Sequence, residues 1–182
     1  MSRGTDAPAL CALQMEQSCD DPSAAFSLCR ERSVLGLGWG VDPYAEVRDE
    51  AAAMRRRQTG IHPAVRAFID LPEGALVWTR DPDDGTFYLA EICGPWTYFD
   101  DQAATAADLH NVRPVHMVAC PVGTQVPVPV ANAFIGDWTL QLIHNSLTML
   151  RSAAMFAGLS PHTNLPIDAH LTPTAVHQSP VL

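Results

Sequence analysis

The spacing of apolar and polar positions changes several times along the chain, and each change marks an element. Residues 9–15, ALCALQM, are an almost unbroken apolar run too short for a helix, which predicts a buried first strand. DDPSAAFSLCRERS then opens with acids able to cap and a proline suited to a first helical turn. Phe26 and Cys29 fall at helical spacing from Pro22 and are expected to face inward. VLGLGWGV follows as a strand with three glycines, and interior glycine signals close approach of another backbone or a ligand. The chain therefore opens as β-α-β.

Residues 43–67 are helix-forming in their first half, through EAAAMRRR, up to the break at Thr59-Gly60. A second short helix, His62 to Ile69, should carry Val65, Phe68 and Ile69 toward the core. LPEG turns into a strand from Ala75 to Arg80, DPDDG is a strong turn, and TFYLAEICG is the return strand. NVRPVHMVAC reads as a further strand, TQVPV as a short edge strand, and FIGDWTLQLI as either strand or helix. HNSLTMLRSAAMFAGL predicts a late helix with Leu147, Leu150, Ala154 and Phe156 or Ala157 on one stripe and Gly158 as its C-terminal cap. These elements imply an α+β fold, a small mixed, partly open β-barrel flanked by helices, over residues 9–158. Residues 1–8 and the Pro/Thr/His-rich stretch 159–182 are expected to be flexible ends.

Composition narrows the setting. With 182 residues, 47% of them hydrophobic and only 17% charged, the chain can bury one genuine core. Its apolar runs are broken well short of a membrane span and its first residues do not form a signal peptide, which places it in the cytoplasm with no membrane partner. Five cysteines without a CxxC pair argue against a disulfide framework and against a zinc ribbon. The net charge is −9 and every basic residue is arginine, so non-specific, high-affinity coating of DNA is not expected. A single nucleotide in a pocket, or a protein partner, remains open. The one dense basic run, MRRRQTGIHPAVR, offers Arg55, Arg56, Arg57 and Arg66 as contacts to a nucleic-acid backbone.

The aromatic residues suggest where a ligand would sit. Trp39 lies between two glycines, which leaves clear space above its ring. Trp78 shares a strand face with Leu76, opposite Val77, and is either core or cavity wall. Trp96 and Tyr98 follow the Gly94-Pro95 corner, and corners on a rigid scaffold are where binding groups concentrate. A base between two such rings gains about 1–3 kcal/mol from each stacking contact. Asn111 and Arg113 have the same strand parity; the amide could pair with a base edge and the guanidinium could clamp phosphate or carboxylate. The bland alternative for these two is a turn and a surface ion pair. His110 and His116 form no recognisable metal set, no nucleophile or phosphate-loop motif is present, and the paired acids lie in turns. No catalytic residue, metal or cofactor is therefore assigned.

LGLGWGVD, GALVWTRDPDDGTFYLAEICGPWTY and DLHNVRPVHMV together resemble a bacterial PUA-like domain of the EVE/YTH/ASCH type, with Ala75 where many members carry aspartate. The resemblance covers roughly residues 10–145. It implies a non-enzymatic reader that holds a modified or flipped base of DNA or RNA in an aromatic hollow, with bacterial members found beside nucleases in defence systems. Trp39, Trp78, Trp96 and Tyr98 would wall that hollow, with Asn111 and Arg113 as polar contacts. The alternative is a protein-interaction accessory module that partners a nuclease or other effector, its aromatics serving the core. An enzyme using His110 or His116 ranks third.

Overall fold

The structure, a computed structural model, describes residues 9–39 and 62–160. In chain order its elements are β1 (Leu10–Leu13), a 3-10 turn (Met15–Gln17), α1 (Pro22–Arg32), β2 (Val34–Leu37), α2 (Pro63–Ile69), β3 (Leu76–Arg80) and β4 (Phe87–Ile92). After them come β5 (Thr97–Tyr98), α3 (Gln102–Ala106), β6 (Asn111–Ala119), α4 (Val128–Ala133), β7 (Leu140–Leu142) and α5 (Ser146–Leu159). The helix expected within 43–58, the first eight residues and the tail from 161 onward lie outside the described residues.

β1 is buried along its whole length because both of its faces are covered. Leu10 and Ala12 join one apolar cluster with Leu76, Trp78, Leu89 and Phe134; Cys11 and Leu13 join another with Phe26, Phe68, Val77 and Ala90. The split follows the two-residue period of a strand. α1 and α2 supply the second cluster, through Phe26, Cys29, Val65 and Phe68, while α4 and α5 pack on the first. The sheet between them is mixed, in the order β2-β6-β4-β3-β1-β7 with β5 against β6. Only the β1–β3 pair is parallel, because α1 and β2 intervene in the chain; the other pairs are antiparallel. β6 is long enough to pair with β2 and β5 through its first half and with β4 through its second, which curls the sheet. The expected α+β architecture, a mixed, curled and partly open sheet flanked by helices, is the one present.

Local signals are realised where the reading relied on them. Asp21 caps α1 by accepting from the Ala24 N–H, with Pro22 in the first turn, and Phe26 and Cys29 are buried. In the hairpin turn, Asp81 accepts from the Asp83 N–H and Asp84 from the Thr86 N–H. Three expectations are corrected. TQVPV forms no strand: Pro127 instead starts α4, a use of proline that needs no ladder N–H. α3 was missed; Asp101 caps it by accepting from the Ala103 and Ala104 N–H groups. The late helix is rotated, with Thr148 and Ser152 buried and Leu147 and Leu150 exposed, because the Trp78 indole N–H needs an acceptor and finds the Ser152 hydroxyl at 3.0 Å. That helix also runs through Gly158 and ends at Leu159. No helix among the described residues is long and apolar enough to cross a membrane.

Candidate functional site

β2 delivers Trp39 through two glycines that no other residue could replace. A Cβ on Gly36 would lie 2.8 Å from the Asn111 carbonyl oxygen, and one on Gly38 only 1.9 Å from that of Ser18. Trp39 itself adopts φ 59°, the left-handed region that bulky residues avoid. Asn111 anchors the approach: its amide donates to the Gly38 carbonyl at 2.8 Å, and its Oδ1 accepts from the Trp96 indole N–H at 3.3 Å. The Trp39 ring stacks on His62, with centroids 3.8 Å apart and planes 23° apart. His62 precedes α2 and its Nδ1 accepts from the Ala64 N–H, which leaves the ring proton on Nε2.

Trp39 and His62 form one wall of a cleft of about 840 Å³ between α2 and the β7 edge. Pro63, Ala64 and Ala67 of α2 line it, as do Gln17 and the stretch from Asp137 to Leu142. Trp138 faces it with 67% of its surface exposed. An exposed indole needs a rigid loop, and Gln14 makes one. Buried at the end of β1, its amide donates to the carbonyls of Ala133, Gly136 and Trp138 at 2.9–3.0 Å. Among the described lining residues Asp137 is the one acid and none is an arginine. The space suits a flat ligand against indole.

The other expected site residues lie elsewhere. Trp96 and Tyr98 are half-buried, 6.4 Å apart, with Tyr98 stacked on His110 at 5.2 Å. They reach Trp39 through Asn111 and do not line the cleft. Asn111 is fully buried with both ends of its amide engaged, so it positions β2 and Trp96 and has no free edge for a base. Arg113 is 3% exposed and clamps no anion. Its Nε donates to the Gly94 carbonyl, and Nη1 to those of Ile69 and Leu71 at 3.0 and 2.7 Å. It thereby caps the C-terminal end of α2 and ties down the Gly94-Pro95 corner, while burial pushes its pKa below the usual arginine value against the opposing pull of Glu73. Trp78 is fully buried in the cluster on the opposite face of the sheet from Trp39, so the two cannot wall one hollow. Arg66 is exposed on α2, and Arg55, Arg56 and Arg57 lie outside the described residues.

Sequence reasoning missed Trp138, His62 and the two glutamines. Gly136-Asp137-Trp138 carries the same small-residue-then-ring signal as Gly94-Pro95-Trp96 and could have been weighted alike. Gln14 carried no local signal, because its partners lie more than a hundred residues away. Among the described residues, no group of three His, Cys, Asp or Glu could hold a metal ion.

No family model matches the sequence, and no curated protein does. Among solved structures, the chain is similar to the YTH domain of the Zygosaccharomyces rouxii MRB1 protein in complex with N6-methyladenosine RNA. The identity is 11%, over 86% of this chain and 92% of that one, with a TM-score of 0.44. A likeness at that level leaves the function to be read from the site.

Proposed function

We propose that this chain is a non-enzymatic reader that takes one planar base, modified or flipped out of its strand, into the cleft between Trp39 and Trp138. The observation that carries the reading is the backbone of Trp39. A bulky residue held at φ 59° costs about 1–3 kcal/mol, and here the strained residue, partly packed on the core, also lines a cleft with its indole. A buried glutamine whose amide N–H groups bind the end of α4 and the loop of the second indole supports the same reading. The partner is a modified DNA, RNA or nucleotide, in a PUA-like setting of bacterial defence. Arg55, Arg56, Arg57 and Arg66 would meet its backbone.

The test is a tryptophan-fluorescence titration with N6-methyladenosine, 5-methylcytidine, their plain counterparts and short single-stranded oligonucleotides carrying each. At least one should quench, and Trp39→Ala should lower that affinity about tenfold or more, as loss of one stacking contact implies. Silence across the panel would sink the proposal. The second reading, an accessory module docking a nuclease or other effector, draws on the exposed Leu142, Leu147 and Leu150. Co-purification of one defined effector, lost in Leu147→Glu/Leu150→Glu, would favour it.

A further inference from the structure

Among the described residues β7 is an edge strand, paired only with β1. Two hydrogen bonds set the phase of that ladder: Gln14 N–H to the Thr139 carbonyl at 2.9 Å, and Ile143 N–H to the Leu10 carbonyl at 2.8 Å. In an antiparallel pair, residues that exchange hydrogen bonds alternate with residues that do not. Positions 139, 141 and 143 therefore face β1, and the N–H and C=O groups of Leu140 and Leu142 point off the open edge. Both leucines line the cleft beside Trp138 and Asp137. No hydrogen bond among the described residues takes up these outward groups. Unpaired edge groups beside two indoles are a ready-made in-plane reader for a flat ligand.

We propose that the β7 edge reads the base that the indoles stack, the Leu142 N–H donating to a ring nitrogen while an outward carbonyl accepts from the amino group beside it. This rests on the cleft being a base site. In the contact proposed, an N–H beside a carbonyl on the edge is matched by a ring nitrogen beside an exocyclic amino group, so the base is an amino-bearing one; Asp137 adds a further acceptor to a described lining that also holds donors in His62, Trp138, Gln17 and Gln141. The edge that pairs with β7 is the one a duplex would occupy, so the base must be unpaired when bound.

Leu142 allows a clean test because its N–H serves no bond to β1. Leu142→Pro removes that donor from an edge position that tolerates proline, whereas Leu142→Ala keeps the donor and removes the side chain. Affinities would be measured for adenosine against purine riboside, cytidine against zebularine and guanosine against inosine, with uridine as reference. The amino-bearing member of the pair that binds should be favoured about three- to tenfold, the worth of one hydrogen bond. Leu142→Pro should lose a similar factor for that ligand beyond whatever Leu142→Ala loses with the side chain, since Leu142→Ala keeps the donor. Amide exchange at Leu142, followed by NMR, should slow when the ligand is added. If Leu142→Pro fails to fold, the matched nucleosides and the exchange measurement still decide. Indole quenching with no amino preference and no protection at Leu142 would overturn the edge contact and leave the cleft standing; absence of any quenching removes both.

Discussion

Arg113 and Asn111 show how little a residue's type says about its task. Each has the chemistry of a ligand contact, and each is instead used up within the fold. Arg113→Met should therefore act on stability. It strands buried carbonyls of α2 and of the Gly94 corner, and chemical denaturation should show a loss of about 3 kcal/mol. Nucleoside affinity measured below the unfolding range should change little, since Arg113 does not line the cleft. Strand parity already set Leu76 and Trp78 against Val77, but parity cannot say which face is open. Both faces turned out to be covered.

Among the elements, the cap and inward face of α1 were legible, while the cap of α3 and the packing face of α5 were not. Asp21 and Pro22 announce α1 because capping is a transaction among four neighbouring residues. Asp101 works in the same way for α3, yet it also pairs with Arg32 of α1 through two contacts at 2.6 and 3.0 Å. Those partners hold its carboxyl down at about 2. A carboxyl depressed on folding contributes stability above its ordinary value near 4 and loses it as pH falls toward the folded value. The urea midpoint of Asp101→Asn should thus trail wild type above about pH 4 and converge with it toward pH 2. A gap that persists at pH 2 would remove the charge from the explanation. α5 is the counter-example: its leucine stripe looked like the buried face, and a hydrogen bond to Trp78 turned its serine inward.

For the whole molecule, the net charge of −9 limits how phosphate can contribute. Arg32 and Arg80 are paired with acids and Arg113 is buried. With backbone contact confined to the four proposed arginines Arg55, Arg56, Arg57 and Arg66, the log–log salt slope for a bound single-stranded oligonucleotide should be about −3. A steeper slope would mean that binding is driven by phosphate along a surface, not by a base in a cleft. Replacing Arg55, Arg56 and Arg57 with glutamine should flatten the slope while leaving single-nucleoside affinity unchanged.

The amino-acid order alone determined what neighbouring residues settle among themselves: the buried β1, the capped α1, the acidic hairpin turn and the alternation along β3. Hydrophobic period and capping act over a few residues, so they can be read without a partner. Only the tertiary structure decided which indoles meet. Trp39 and Trp138 share a cleft because Gln14 reaches 124 residues along the chain to hold one loop and Gly38 nests against Ser18 to aim the other ring. Trp78 is lost to the core through a bond to a serine 74 residues away. Such pairings depend on how two faces of one sheet are covered, and that is a property of the packed chain as a whole.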